Sequence, residues 1–118
     1  GEAAFRRAET HMLCHLTRAR PMIISTGGGT VVSPENRKIM RCWGTILWVN
    51  RPLEEILGDI RMETRPLLQA GGAEKLRELY AERLPIYQAA ADYTLENDQE
   101  YLATMNELVK FLRNRLGA

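Results

Sequence analysis

The spacing of apolar positions divides the chain into alternating helical and extended segments. From Glu2 to Thr17, Phe5, Met12, Leu13 and Leu16 fall close to one helical face, which predicts an amphipathic helix. Met22 to Thr26 is short, apolar and bounded by Pro21 and three glycines, the pattern of a buried strand. Ser33 is placed as a helix N-cap with Pro34 at the first helical position, and Gly44 marks the end of that helix. "TILWVN", Thr45 to Asn50, is almost continuously apolar, as expected of a strand covered on both faces. "PLEEILGDIRM" predicts a helix weakened by Gly58, and "ETRPLLQAGG" a loop. A helix resumes from Ala73 to about Ala90, with Leu76, Leu79, Tyr80 and Leu84 spaced for burial and Pro85 expected to kink or split it. "DYTLEN" reads as a third strand. Gln99 to Leu116 reads as a last amphipathic helix, with Arg113 and Arg115 in its final turn and Gly117 as its stop. This alternation predicts an α/β fold with a mainly parallel sheet.

Composition narrows the picture without changing it. At 118 residues, 45% hydrophobic and 26% charged, the chain is sized for one domain spanning 1–118. A net charge of +1 makes no case for nucleic acid or a membrane surface as partner. No apolar run approaches membrane-spanning length. The opening "GEAAFRRAET" is charged and helical, unlike a signal peptide, and lacks an initiator methionine, consistent with a start inside a longer protein. Cys14 and Cys42 make no disulfide framework and are expected as reduced thiols in a cytoplasmic protein. Arginine far outnumbers lysine, and arginine is the residue whose planar fork fits carboxylate and phosphate.

Candidate chemistry centres on Gly27, Gly28 and Gly29, which follow the first predicted strand. In open α/β folds ligands bind beyond the carboxyl ends of strands, and glycines let a backbone approach a ligand closely. An isolated triple glycine is equally well a tight turn without a ligand. The spacing "GGGTVV" is neither a dinucleotide fingerprint nor a Walker A loop. Arg6 stands beside Glu9 at i and i+3, Arg65 lies in the Pro- and Gly-rich loop, and Arg83 precedes Pro85. Each alone is most often a solvated charge; a fold that gathers them at the glycine turn makes an anion site.

The segments "FRRAE", "STGGGTVVSPENR", "TRPLL", "ERLPIY" and "AD" before a strand occur in an order and spacing that resembles the shikimate kinases over nearly the whole chain. The resemblance implies an α/β fold of the P-loop, nucleoside-monophosphate-kinase-like kind and ATP-dependent phosphorylation of the shikimate 3-hydroxyl, a step in aromatic amino-acid biosynthesis. It implies that Arg6 and Arg83 clamp the shikimate carboxylate, that Gly27–Gly29 pack against the substrate, and that Glu9 fixes Arg6. It also implies that Arg65 closes over ATP from a lid at about 60–72. Family members often carry an arginine near the adenine where Gly58 stands here, and Arg61 is the expected substitute. The loop Asn97 to Gln99 would border the adenine, without a decisive side chain.

Shikimate kinases begin with a strand, a Walker A loop, a helix and a segment bearing the catalytic aspartate. None of these occurs in the 118 residues. The parent enzyme uses ATP and Mg²⁺; the main groups for both are absent from this sequence, and it is expected to be inactive alone. In the family sheet the phosphate-loop strand lies between the strand ending at Thr26 and "TILWVN". The expected gap has three resolutions: a separate N-terminal segment, a homodimer that pairs the exposed edges, or a closed-up strand order.

Other motifs add little. His11, Cys14 and His15 share a helix side at a spacing that can hold a metal, but no further ligand cluster accompanies them, so surface histidines beside a core cysteine are expected and no metal site is assigned. Trp43 and Trp48 are expected in the core, because aromatics are sparse at 7% and no basic stripe interleaves them. Two alternatives stay open: a non-catalytic carboxylate-binding module that keeps Arg6, Gly28 and Arg83, and another kinase of the same superfamily.

Overall fold

The computed structural model describes residues 1–19, 22–62, 72–98 and 100–116. Five helices, a 3₁₀ turn and two strands are assigned among them: α1 (Glu2–Ala19), the turn Thr30–Val32, α2 (Pro34–Trp43), β1 (Leu47–Asn50), α3 (Leu53–Met62), α4 (Gly72–Ala90), β2 (Tyr93–Glu96) and α5 (Tyr101–Leu116). The helices lie where hydrophobic spacing and caps predict. Ser33 caps α2, its hydroxyl accepting from the Asn36 amide at 3.4 Å, with Pro34 in the first turn. Helix α4 runs through Pro85 as one element rather than splitting there.

The chain divides into two compact units. The first comprises residues 1–46 with 85–92. Helices α1 and α2 pack on each other and on the 3₁₀ turn, and the buried residues of this unit are Leu13, Val31, Ile46 and Ala90 together with Thr30 and Asn36. Asp92 closes this unit by accepting from the Ile46 amide at 2.7 Å and donating its own amide to the Ile46 carbonyl at 2.9 Å. The second unit comprises residues 47–84 with 93–118. Its β1 and β2 pair in parallel, Leu47 opposite Tyr93 and Asn50 opposite Glu96, and it buries Leu57, Leu95 and Thr104.

Several expectations change. Met22 to Thr26 forms no strand, so the sheet has two strands among the described residues rather than three. A strand needs a neighbour for its backbone groups, and the neighbour implied by the resemblance is not in this sequence. Ile23 is accordingly 67% exposed. The segment gives up its ladder, and it joins no sheet among the described residues. Strand β1 is half-buried with Val49 exposed, not covered on both faces. On α1 the buried face turns toward Leu13, leaving Phe5 and Met12 exposed; Phe5 instead lies under the Arg6 guanidinium, 5.1 Å from the ring centre. Trp43 is exposed at the end of α2 with Arg18 5.8 Å from its ring, and Trp48 is half-buried. Cys14 is half-buried rather than core. The 63–71 part of the expected lid, Gln99 of the adenine-side loop and Gly117 lie outside the described residues.

Candidate functional site

The first unit brings together Arg6, Glu9 and the glycine turn. Arg6 and Glu9 lie one turn apart on α1, and Nη1 of Arg6 donates to Oε1 of Glu9 at 2.9 Å. One turn earlier, Glu2 accepts from Nε of Arg6 at 2.9 Å. The third guanidinium nitrogen, Nη2, makes no hydrogen bond among the described residues, and the side chain is 36% exposed. The charged guanidinium is held above its ordinary pKa by Glu9 first and Glu2 second.

Glu9 is the better anchored of the two carboxylates. Its side chain is 17% exposed against 77% for Glu2. Its second oxygen, Oε2, accepts from the Thr30 hydroxyl at 2.9 Å. Partial burial pushes the Glu9 carboxyl up, but the bonds from Arg6 and Thr30 and the Arg6 charge outweigh that and hold it below its ordinary value.

The glycine turn meets this pair at Gly29. A Cβ built there would lie 2.6 Å from Nη2, 2.8 Å from Nη1 and 2.9 Å from Cζ of Arg6. The residue has φ −86° and ψ −12°, so any side chain accepts its backbone. It is the guanidinium resting on it that excludes one. A Cβ at Gly27 would meet open space. The Gly28 carbonyl accepts from the Tyr87 hydroxyl at 2.8 Å, a tether that the sequence does not announce except through the Tyr of "ERLPIY". The turn is then closed by Thr30 N donating to the Gly27 carbonyl at 3.3 Å and Val32 N to the Gly29 carbonyl at 3.2 Å. Beneath it, Asn36 Nδ2 donates to the Thr30 carbonyl at 2.8 Å, and Arg37 Nη1 to the carbonyls of Val31 and Val32 at 2.8 and 2.9 Å.

An open groove of about 500 Å³ between α1 and α2 is lined in part by Arg6, Thr10, Cys14, Ser33 and Ile39. Arg6 is thus a fixed, charged and partly free donor with solvent access, over a backbone stripped of side chains. That arrangement can take a carboxylate or another planar anion.

The remaining predicted residues belong to the second unit or lie outside the described residues. Arg83 is half-buried on α4, in the second unit, four residues before Tyr87. Arg65 and the Arg61 side chain lie outside the described residues. His11 and His15 are exposed with Nε2 atoms 3.2 Å apart, and no third metal ligand joins them among the described residues. Nor does any group of three or more His, Cys, Asp or Glu side chains converge elsewhere among those residues, and the sequence has no Gly-Lys-Ser/Thr loop. The groups present among the described residues do not fit a Mg²⁺–ATP phosphate site. No helix among the described residues is long and apolar enough to cross a membrane.

Comparison with known proteins decides the family. The shikimate kinase family model matches residues 1–113. The chain belongs to the shikimate kinase family. It is 42% identical to the shikimate kinase of Neisseria meningitidis, over 99% of this chain and 67% of that protein. Among solved structures, the shikimate kinase of Acinetobacter baumannii in complex with shikimate matches with a TM-score of 0.79 and 34% identity, over 99% of this chain and 65% of that one. The shikimate kinase of Bacteroides thetaiotaomicron matches with a TM-score of 0.76 and 26% identity, over 100% of this chain and 70% of its own. The chain therefore spans about two thirds of the length of these shikimate kinases, has their P-loop kinase fold over that span, and belongs to a family of phosphotransferases.

Proposed function

We propose that this chain carries the shikimate-carboxylate site of an ATP-dependent shikimate kinase and that the 118 residues by themselves do not transfer a phosphoryl group. The observation that carries the reading is the Arg6 guanidinium, fixed by Glu9 on one edge and lying on Gly29, with no hydrogen bond to Nη2 among the described residues. Nε and Nη2 form the side-on fork that a carboxylate accepts in two parallel bonds. At present Nε is taken by Glu2, a 77% exposed side chain that an incoming carboxylate displaces at little cost. In this reading Arg83 would supply the second guanidinium, Gly27 and Gly28 would line the substrate ring, and Arg65 and Arg61 would serve the nucleotide, the phosphoryl donor of the family. The shikimate in the Acinetobacter complex supports the choice of acid.

Calorimetric titration of the 118-residue chain with shikimate tests it. The expected result is saturable binding that weakens by at least roughly thirty-fold in Arg83→Ala, the size of loss typical when one partner of a charged, hydrogen-bonded pair is removed. A folded chain that takes up no shikimate overturns the reading. A carboxylate-binding module without chemistry is favoured by one feature, the completeness of the Arg6–Glu9–Thr30 cluster within the first unit. Shikimate binding that no N-terminal segment of a shikimate kinase converts into turnover decides for that module.

A further inference from the structure

We infer that Thr30 is a positioning residue for the substrate acid: its hydroxyl fixes the Glu9 carboxylate, which fixes the Arg6 guanidinium on the glycine turn. The ligand half of this inference rests on the function proposed above; the positioning half does not.

An arginine and a glutamate at i and i+3 on a helix do not by themselves hold one geometry. Such pairs exchange among rotamers and contribute only a few tenths of a kcal/mol. Glu2 with Arg6 is a pair of this kind, highly exposed and bonded through one oxygen. Glu9 differs because both its oxygens are engaged from different parts of the chain, Oε1 by Arg6 and Oε2 by Thr30. Two bonds at right places select one carboxylate orientation, and that orientation places Arg6.

Thr30 is built to do this. It is 3% exposed, and its backbone is held at both ends, the amide by the Gly27 carbonyl and the carbonyl by Asn36, itself 1% exposed. A β-branched residue with a fixed backbone has little χ1 freedom, so its hydroxyl points in a defined direction. Thr30 also directly follows Gly29, the residue on which the guanidinium rests. One short turn therefore supplies the floor under Arg6 and the donor that orients its carboxylate partner. Arg6 is the charged group acting on Glu9 among the described residues, and the turn presents the neutral Thr30 hydroxyl.

The test compares Thr30→Val, which removes the donor at nearly constant volume, with Thr30→Ser, which keeps it. Two quantities are read: shikimate affinity by calorimetry and the Glu9 side-chain carboxyl titration by carbon-13 NMR. Thr30→Val should weaken shikimate binding roughly ten-fold, the loss of one hydrogen bond to a charged group, and should raise the Glu9 titration midpoint. Thr30→Ser should restore both. A role in packing alone would lower the unfolding temperature and leave the Glu9 midpoint in place, which overturns the inference. If Thr30→Val does not fold, Thr30→Ala against Thr30→Ser makes the same comparison with smaller side chains. Arg6→Ala separates the two claims. Shikimate binding lost in Arg6→Ala but unchanged in Thr30→Val sinks the positioning role and spares the substrate reading. If the parent chain ignores shikimate while the Glu9 midpoint still follows the Thr30 hydroxyl, only the substrate reading fails.

Discussion

At the scale of single residues, the site is a cation whose three nitrogens have different fates. Glu9 holds one edge of Arg6, Glu2 borrows another, and Gly29 supplies the surface beneath. Gly29→Ala puts a methyl where the guanidinium lies. The collision is with the end of a side chain, so the fold survives with a loss of about 1 kcal/mol or less, read by thermal unfolding. Shikimate affinity should fall far more, roughly ten-fold, as Arg6 is pushed off its partners. Glu2→Ala should act in the opposite direction, tightening shikimate a few-fold by freeing Nε, since an exposed pair of this kind is worth under about 1 kcal/mol. The pH dependence has a defined sign. Glu9 titrates below its ordinary value near 4.5, so its share of stability is complete above that pH and is lost as pH falls through the lower folded value. Acid unfolding followed by circular dichroism should therefore flatten in Glu9→Gln. Arg6 and Glu9 were legible as a pair in the sequence from their i, i+3 spacing. Thr30 was not, because its relation to Glu9 crosses 21 positions and depends on how the turn folds back.

Among elements, the helices are the legible part. Amphipathic spacing, the Ser33–Pro34 start and the stop at Gly44 are local signals, and local signals suffice for a helix whose bonds are internal. Ser33→Ala should lower stability by about 0.5–1 kcal/mol, modest because the cap bond is long at 3.4 Å. Strands are different, since their bonds belong to another segment. Thr45 to Asn50 and "DYTLEN" pair as β1 and β2, whereas Met22 to Thr26, about as apolar as the first of these, pairs with no strand among the described residues. The face of α1 that is buried also depends on what packs on it, which is why Leu13 is enclosed and Phe5 is not. Tyr87 ties α4 to the glycine turn, and Tyr87→Phe should cost about 0.5–1.5 kcal/mol in chemical denaturation, the usual worth of one hydrogen bond.

For the whole molecule, order of motifs along the chain carried the family, because several short patterns in sequence are far more specific than any one of them. The division of buried residues into two units was not visible, since it depends on which long-range contacts close. Every rung of the sheet joins positions 46 apart, Leu47 with Tyr93 through Asn50 with Glu96, while the link from Glu9 to Thr30 spans 21. Loop closure costs more as chains lengthen, and distant pairings form slowly. During synthesis, when residues emerge from the N-terminus onward, the arginine, its glutamate and the threonine exist as neighbours long before β2 has been made. The anion-holding corner can assemble on a nascent chain in which β1 and β2 have not yet paired, and the bond from Tyr87 to Gly28 is then a late fastening on a turn already shaped.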